Sequence, residues 1–400
     1  MKVLIAVVSS AAHLSGVSRH AINLARCLLT QSNVSAIHLV AARWQYNSLH
    51  AALPQNDPRL HIHLVQVGTS ALSRNLWYYL ELPVLADQLN ADLVHLAYPV
   101  PLNRHAFHCP TIVTLHDLYP YDIPANFGFP KVLFNQLIVQ QCLRSVDAIA
   151  CVSESTLRQL DIYAPRLELQ KAVTIYNCVE PGPPMTLESP LPHWNGEPFI
   201  LCVAQHRRNK NILLALHIFQ RLLRSGAIDP TGLLVIIGME GPETARIHRF
   251  INTAALTSHV VLLQGISDAA LHWCYGHCEL LLAPSIIEGF GLPIVEAMLH
   301  RCRIVCSDIP AFREVGGAYC HYVKLRPSPE EAFVHAIKLA RKDMDLRIPA
   351  TTRFSISHIA DAYLQLYTRL CNGCSANGTC SHCHLVPSLE REIDYERLTK

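Results

Sequence analysis

Short apolar runs alternate with longer amphipathic segments along most of the chain. In the first half, buried β-strands are predicted at five such runs, which are residues 3–8, 37–41, 93–96, 111–115 and 148–152. Residues 16–29 and 131–146 repeat apolar side chains at helical spacing and predict helices between the strands. Apolar strands separated by helices are typical of a parallel sheet covered on both faces.

The alternation restarts after two stretches rich in proline, at residues 180–184 and 190–198. Further strands are predicted at residues 199–204, 233–238, 260–264, 279–283 and 303–307. Helices are predicted at residues 211–223, 243–255, 294–300 and 356–370. Two similar halves joined by a linker indicate an α/β fold of two Rossmann-like, doubly wound domains facing each other across a cleft.

The predicted organisation has four parts. We place the first domain at residues 1–182 and the second at residues 183–353. The helix at residues 354–370 is expected to cross back to the first domain, and a Cys-rich polar tail follows at residues 371–400. In such sheets, ligands bind at the carboxyl ends of the strands and at helix N-termini.

Composition narrows the class of protein. The 400 residues are half hydrophobic and carry a formal net charge of +2, which predicts no nucleic-acid partner. Eleven of the 15 cysteines lie in apolar surroundings, as is typical of reduced, buried thiols. No stretch approaches the ~18 apolar residues of a membrane span, and the run at residues 3–8 predicts a strand rather than a signal peptide. We expect a cytoplasmic protein, with at most a peripheral contact to the inner face of the membrane.

The segment at residues 284–296 combines a strand end, a loop with two glycines and a helix start. Gly289 and Gly291 allow a sharp turn and a close approach to a ligand. Backbone amides at a helix start favour an anion, while Glu288 and Glu296 can bind hydroxyls on either side of it. The pattern therefore predicts binding of a phosphate joined to two polyols, as in a sugar nucleotide. The alternative is a strand, loop and helix with incidental acids.

A second strand end carries three cations, which are Arg207, Arg208 and Lys210. Cations disfavour a helix N-terminus, so their presence there indicates a compensating anion. A pyrophosphate fits, with arginine and lysine as charge-assisted donors. A solvated loop is the alternative.

These elements resemble motifs of the GT4 family, which are retaining glycosyltransferases with the GT-B fold. The segment from Glu288 to Glu296 resembles the E-x7-E element, and residues 203–211 resemble the V-G-x-L-x-x-x-K-N element. Other similar elements occur in family order at residues 16–20, 114–117, 152–155, 175–177, 238–242 and 265–268. The resemblance covers roughly residues 1–370.

The resemblance implies a donor domain at residues 183–353 and an acceptor side in the first domain. Lys210, helped by Arg208 or Arg207, is expected to bind the donor diphosphate. Backbone amides near Gly291 and Leu292 are expected to contact a phosphate. The family often has arginine at the position of Gln205, so the choice between the two arginines stays open.

The sugar and the nucleoside have further expected contacts. The resemblance implies that Glu296 holds the ribose hydroxyls and that the backbone of Ile266 contacts the base. Glu288 and His116 are the expected catalytic-site residues at the sugar, and Gly16 is expected to let the first loop close over the phosphates. His116 has an alternative reading, in which the histidine and the following Asp117 cap the next turn.

The implied activity is that of a hexosyltransferase. It moves a sugar from a GDP- or UDP-sugar to a glycan or lipid-linked acceptor with retention of configuration, in polysaccharide or cell-envelope glycan synthesis. No cofactor is required for catalysis, and the departing phosphate is expected to take the acceptor's proton. Two alternatives stay open, which are a GT-B-fold sugar-nucleotide epimerase and a non-catalytic nucleotide-sugar-binding protein. An epimerase forms a second sugar nucleotide without an acceptor.

Two motifs fall outside the resemblance or its site. Cys371, Cys374, Cys380 and Cys383 form two C-x2-C pairs that suit a structural zinc ion, with a disordered thiol-rich tail as the alternative. Residues 343–345 have the D-x-D spacing of metal-dependent glycosyltransferases. We expect them to lie in a surface loop, because they are far in sequence from the other motifs.

Overall fold

The computed structural model describes residues 1–374 except 13–14, 55, 166, 168, 182–185, 187 and 343–348. The strands of the first half are β1 (Lys2–Ala6), β2 (Ala36–Ala42), β3 (Leu60–Val65), β4 (Leu93–Leu96), β5 (Thr111–Leu115), β6 (Ala148–Cys151) and β7 (Ala172–Thr174). Its helices are α1 (Gly16–Leu29), α2 (Tyr46–Ala52), α3 (Ala71–Gln88), α4 (Tyr119–Asp122), α5 (Lys131–Ser145) and α6 (Glu154–Tyr163).

The second half repeats the alternation of strands and helices. Its strands are β8 (Phe199–Val203), β9 (Leu233–Ile237), β10 (Val260–Leu263), β11 (Leu280–Ala283), β12 (Ile304–Ser307) and β13 (His321–Val323). Its helices are α7 (Ile212–Arg224), α8 (Thr244–Thr253), α9 (Asp268–His277), α10 (Leu292–Leu299), α11 (Pro310–Gly316), α12 (Pro329–Lys342) and α13 (Ile356–Cys374).

The strands form two parallel sheets with the same doubly wound topology. The first sheet has the order β3-β2-β1-β4-β5-β6-β7, and the second has the order β10-β9-β8-β11-β12-β13. Every paired strand is parallel to its neighbours, with Ile5 of β1 opposite Leu39 of β2 as one example of the register. The predicted fold of two Rossmann-like domains is therefore confirmed.

Helices cover both faces of the first sheet. Helices α1 and α13 pack on one face, where Tyr363 and Tyr367 of α13 are buried beside Ile5. Helices α3, α5 and α6 pack on the other face through side chains such as Trp77 and Leu143. Because α13 follows the second sheet in the chain but packs on the first, it ties the two halves together.

Some elements differ from the sequence prediction. Strand β3 and helix α3 were not predicted, although they fill one side of the first domain. Helix α13 continues to Cys374, so Cys371 to Cys374 form its last turn rather than the start of a polar tail. The physical reason is that Tyr363, Leu366 and Tyr367 anchor the helix on α1 while the helical pattern continues beyond residue 370.

Two further expectations concern the state of the cysteines and the presence of membrane-spanning helices. The eleven cysteines from Cys27 to Cys320 are free thiols, and eight of them are buried. Among the described helices, none combines the length and the apolar character needed to cross a bilayer. Residues 343–345, Cys380 and Cys383 lie outside the described residues, and so does the side chain of Cys374.

Candidate active site between the two domains

A buried ion pair joins two loops of the second domain. After β8, a 3-10 turn at Arg208–Lys210 leads into Asn211, whose left-handed backbone (φ +53°) starts α7. This turn directs the Lys210 ammonium to Glu288, where its Nζ lies 2.7 Å from both carboxylate oxygens. The Glu288 side chain is 8% exposed, so the carboxylate depends on Lys210 for charge compensation.

The first domain adds a tyrosine and an aspartate beside this pair. The Tyr119 hydroxyl donates a hydrogen bond to Glu288 Oε2 over 3.2 Å, and Asp117 Oδ1 accepts one from the Tyr119 amide over 3.1 Å. Burial raises the pKa of Asp117 to about 6, although the positive charges of Arg207 and Lys210 oppose this rise. Asp117 therefore caps the next turn, as in the alternative reading of the sequence, and also faces the cations of the other domain.

Gly289 lies directly against the first domain. A Cβ atom at this position would fall 1.8 Å from the carbonyl oxygen of His116, so a larger residue does not fit. The Gly289 carbonyl oxygen accepts hydrogen bonds from Ser153 Oγ over 2.5 Å and from Thr156 Oγ1 over 3.0 Å. The loop that carries Glu288 is thus seated on the carboxyl ends of β5 and β6.

The His116 side chain is held in one orientation. Its Nε2–H donates to the carbonyl oxygen of Ala97 over 2.9 Å, and burial lowers its pKa to about 4. The ring is therefore neutral near pH 7, and Nδ1 is the unprotonated nitrogen. The His20 ring packs edge-on against it, with ring centroids 4.8 Å apart.

The start of α10 is built on glycine. Gly291 has φ +107°, and a Cβ there would lie 2.9 Å from the Phe312 ring. Within the described residues, no side chain makes a capping hydrogen bond at the N-terminus of this helix, which begins at Leu292. One turn on, Glu296 Oε2 accepts a hydrogen bond from the Tyr275 hydroxyl over 2.7 Å. Burial raises the pKa of Glu296, against the hydrogen bond from Tyr275 and the charge of Arg19.

A second contact between the domains lies near Glu296. Arg19 in the first turn of α1 pairs with Asp268 at the start of α9, with 2.7 Å between Nη2 and Oδ1. Ile266, the expected base contact, precedes α9 and packs partly against the core of the second domain. Gly16 is exposed at the start of α1, and no atom of the described residues lies within 4 Å of where its Cβ would be. The first turn of α1 therefore faces the first turn of α9.

The structure does not bring all the predicted cations together. Lys210 reaches Glu288, and the charge of Arg207 acts on Asp117 from an exposed position. Arg208 is exposed, and its side chain makes no hydrogen bond or ion pair within the described part of the chain. Gln205, which replaces the family's arginine, is half-buried.

Several residues of the site were not predicted from the sequence. Tyr119, Arg19 and Tyr275 each pair with a predicted site residue or with its neighbour. Tyr119 could have been suspected from its place two residues after Asp117. Arg19 lies within the element at residues 16–20 but carried no predicted role, and Tyr275 lies on α9 outside every motif, so only the fold brings them to the site.

The described residues also bear on metal binding. No group of three or more histidine, cysteine or acidic side chains is placed to hold a metal ion among residues 1–374, apart from the gaps given above. Cys371 lies in the last turn of α13 and is half-buried, with its Sγ 3.6 Å from the carbonyl oxygen of Asp92. The predicted zinc site at the C-terminus stays a prediction.

Comparisons with known proteins identify both halves of the chain. The family model described as "Glycosyltransferase Family 4" matches residues 14–182, and the model "Glycosyl transferases group 1" matches residues 187–349. The O-antigen chain mannosyltransferase RfbU of Salmonella typhimurium is 28% identical over 278 residues, which are 68% of this chain and 72% of the relative.

Solved structures share the fold over nearly the whole chain. A sucrose-phosphate synthase from Thermosynechococcus elongatus has a TM-score of 0.71 and 17% identity, covering 93% of this chain and 100% of its own. Anabaena Alr3699/HepE, solved in complex with UDP and glucose, has a TM-score of 0.63 and 14% identity, covering 94% of this chain and 100% of its own. At these identities the likeness establishes the fold and nothing further.

Proposed function

Since this chain belongs to the GT4-type glycosyltransferases and is an enzyme of the hexosyltransferase class, we propose that it transfers a sugar from a nucleotide-diphosphate donor with retention of configuration. The observation that carries this proposal is the contact between Lys210 and Glu288. The expected diphosphate-binding cation and the expected sugar-binding carboxylate are 78 positions apart in sequence, yet they meet beside His116 of the facing domain.

We assign the donor as follows. Lys210 binds the diphosphate with help from Arg207, whose charge already reaches the gap between the domains. Arg208 is the second choice, because both arginines are exposed and only the charge of Arg207 acts on Asp117. The backbone amide of Leu292 contacts a phosphate at the uncapped start of α10, and Gly291 permits the close approach.

The remaining donor contacts are those to the ribose, the base and the sugar. Glu296, held by Tyr275, binds the ribose hydroxyls, and the backbone of Ile266 contacts the base. Glu288 and the unprotonated Nδ1 of His116 accept hydrogen bonds from sugar hydroxyls. The loop that starts at Gly16 covers the phosphates when the domains close.

The proposed reaction needs no metal ion. The bond between the anomeric carbon and the donor phosphate oxygen breaks, and a bond from the same carbon to the acceptor oxygen forms on the same face. The acceptor's proton passes to the departing phosphate. Lys210 and the α10 amide stabilise the negative charge that builds on the diphosphate, and such charge stabilisation is the largest contribution in many enzymes.

We further propose that the transferred sugar is mannose and that the product is an O-antigen type of glycan. The support is the likeness to the mannosyltransferase RfbU, which extends over 68% of this chain. Contacts to the base through the backbone suit GDP- and UDP-linked donors alike, so the nucleotide is left to experiment.

We propose that the first domain binds a lipid surface and that the enzyme encounters its acceptor there. Nine large apolar side chains, each 41% to 83% exposed, lie on or beside two helices that cover one face of the first sheet. This apolar face comprises Leu72, Leu76, Tyr79, Leu80, Val84, Phe129, Leu133, Phe134 and Leu137. Helix α5 also carries Lys131 and Arg144 and no acidic residue, which suits an anionic membrane surface.

The test begins with donor binding. The protein is screened by thermal shift against GDP-mannose, UDP-glucose and UDP-N-acetylglucosamine, since a bound donor raises the melting temperature. Donors that bind are then assayed for nucleoside diphosphate release with and without a mannose-containing glycan acceptor. Turnover that Glu288→Ala abolishes supports the proposal. Formation of a second sugar nucleotide without acceptor identifies an epimerase, and absence of any turnover with all three donors contradicts the assignment.

A further inference from the structure

A continuous line of buried hydrogen bonds runs from α13 through β4 and β5 to α1 and to Asn177. The Tyr367 hydroxyl lies 2.6 Å from His95 Nδ1, and His95 Nε2 lies 2.7 Å from Thr114 Oγ1. The same oxygen lies 3.0 Å from His20 Nε2, and His20 Nδ1 lies 3.0 Å from Asn177 Oδ1. All five side chains are buried, and they come from five separate segments of the chain.

The protonation of the two histidine rings and the acceptor-only oxygen of Asn177 determine which atom donates in each hydrogen bond of this line. Burial lowers the pKa of His95 to about 3 and the pKa of His20 well below its usual value, so each ring carries one proton at neutral pH. The carbonyl oxygen of Asn177 only accepts, so His20 Nδ1 is the donor and its Nε2 is an acceptor. The single proton of Thr114 must then go to His20.

The rest of the line follows from that step. Because the Thr114 proton goes to His20, Thr114 Oγ1 accepts from His95 Nε2–H. His95 Nδ1 is then unprotonated and accepts from the Tyr367 hydroxyl. Every donor meets an acceptor, and a tautomer change at either ring leaves buried polar atoms without a partner, which is costly.

One member of the line, His20, packs against the proposed sugar contact. The His20 ring meets the His116 ring edge-on with the centroids 4.8 Å apart, and His20 lies on α1 one residue after Arg19. His116 itself is tied only through Nε2 to Ala97 among the described residues. The plane of its ring, and hence the direction of Nδ1, therefore depends on the ring of His20.

We propose that Tyr367 and His95 are positioning residues, which fix His20 through Thr114 and thereby orient His116 toward the donor sugar. This inference rests on the proposed function, because it takes His116 to contact the sugar. On this proposal, helix α13 supplies a positioning hydroxyl to the first domain in addition to packing against it.

The first test removes one hydroxyl. Tyr367→Phe deletes the end of the line, and we expect kcat to fall about three- to tenfold, the scale of one hydrogen bond. The donor KM should change less than about twofold, since correct orientation counts mainly in the transition state. Tyr319→Phe is the control for loss of a buried tyrosine hydroxyl, because Tyr319 follows α11 in the second domain and touches no member of this line. Its hydroxyl has no hydrogen-bond partner within the described residues, so kcat should stay at the wild-type value.

The second test separates hydrogen bonding from packing at His95. His95→Gln can still donate to Thr114 and accept from Tyr367, whereas His95→Leu fills a similar volume without polar atoms. We expect the glutamine variant to keep kcat within about threefold of wild type and the leucine variant to lose about tenfold or more. Equal losses in both variants overturn the proposal. If His95→Leu does not fold, the comparison of kcat between Tyr367→Phe and Tyr319→Phe decides.

A His116→Ala variant distinguishes the two levels of inference. The readout is nucleoside diphosphate release from whichever of GDP-mannose, UDP-glucose and UDP-N-acetylglucosamine turns over. If His116→Ala keeps wild-type turnover, the proposed sugar contact fails and the positioning role fails with it. If His116→Ala loses turnover while Tyr367→Phe matches Tyr319→Phe, the proposed function stands and the positioning role alone is overturned.

Discussion

Lys210 Nζ lies 2.7 Å from each carboxylate oxygen of Glu288, although the two residues follow different strands of the second sheet. The pair leaves the ammonium compensated before any donor is bound. A diphosphate must therefore compete with Glu288 for Lys210, or share the ammonium with it, when the donor enters. The sugar hydroxyls can then take over part of the hydrogen bonding of the carboxylate.

This ion pair predicts that variants can regain folding stability without regaining catalytic activity. Lys210→Met should lower kcat/KM by about 10²- to 10³-fold, because a charge donor to the leaving group is lost. It should also lower the free energy of unfolding, since Glu288 is left buried without its cation. The double variant Lys210→Met/Glu288→Gln should regain the stability and stay inactive. Urea unfolding and initial rates measure both quantities.

The control for this series lies on the helix that follows Lys210. Arg224→Met removes an exposed cation from the last turn of α7 and should change neither quantity. If Lys210→Met keeps wild-type kcat/KM, or if the double variant is active, Lys210 is not the diphosphate-binding cation.

Buried histidine predicts a dependence of stability on pH. Burial lowers the pKa of His95 to about 3 in the folded protein, below the usual value near 6.5 of the unfolded chain. The unfolded state thus binds more protons between these values, and the stabilising contribution present above pH 6.5 is lost as pH falls toward 3. Between pH 7 and pH 5 the loss amounts to about 2 kcal/mol for this residue.

The measurement compares urea unfolding of wild type and His95→Gln at pH 7 and pH 5. The variant lacks the titrating group, so its loss of stability should be smaller by about 2 kcal/mol. His335→Gln, at an exposed position on α12, should behave as wild type. An equal loss of stability in wild type and His95→Gln contradicts a neutral, buried His95. Asp117 acts in the opposite sense, because its raised pKa makes stability fall as pH rises through about 6.

The fold could be predicted wherever the apolar pattern was unbroken. Strand β1 is apolar throughout except for Lys2, and every residue after Lys2 is buried, as expected for a central strand covered on both faces. Strand β3, by contrast, places His61 and His63 in an edge strand, so its pattern does not indicate a buried strand. Helix α3 was missed because exposed residues such as Leu72 and Leu80 blur its amphipathic pattern and because it contains Pro83.

The site could be predicted only within its own loops. Glu288, Gly291 and Glu296 follow one strand end, where spacing alone indicates an anion site. The approach of Tyr119 to Glu288 depends on how two separately folded domains meet, and no local pattern encodes that. The same holds for the ion pair between Arg19 and Asp268, which are 249 positions apart.

The apolar face predicts binding to lipid. Phe134→Ser/Leu137→Ser removes two side chains that are 63% and 65% exposed, so folding stability should change little. Binding to vesicles of anionic phospholipid should weaken at least about tenfold, given ~1.5–3 kcal/mol for burying each such side chain. Vesicle sedimentation measures the binding, and Leu339→Ser on α12 of the other domain serves as control. Unchanged vesicle binding by the double variant contradicts the proposal that this apolar face binds lipid.

Gly289 predicts how closely catalysis depends on the contact between the domains. In Gly289→Ala the new methyl group meets the His116 carbonyl oxygen, which lies 1.8 Å from the ideal Cβ position, so the loop or the domain must shift. Overpacking of this kind costs about 1–3 kcal/mol of stability. Because the same shift moves Glu288 away from Tyr119 and His116, kcat/KM should fall about 10- to 100-fold.

Gly373→Ala provides the matched control for this substitution, because a Cβ on this last turn of α13 meets no atom of the described residues. It should keep wild-type kcat/KM and melting temperature. Donor binding by thermal shift completes the test, since Lys210 remains in place in Gly289→Ala and the donor should still bind. A Gly289→Ala protein that transfers sugar at the wild-type rate would show that the loop and the first domain separate during turnover, and the contact seen here would then not be the catalytic one.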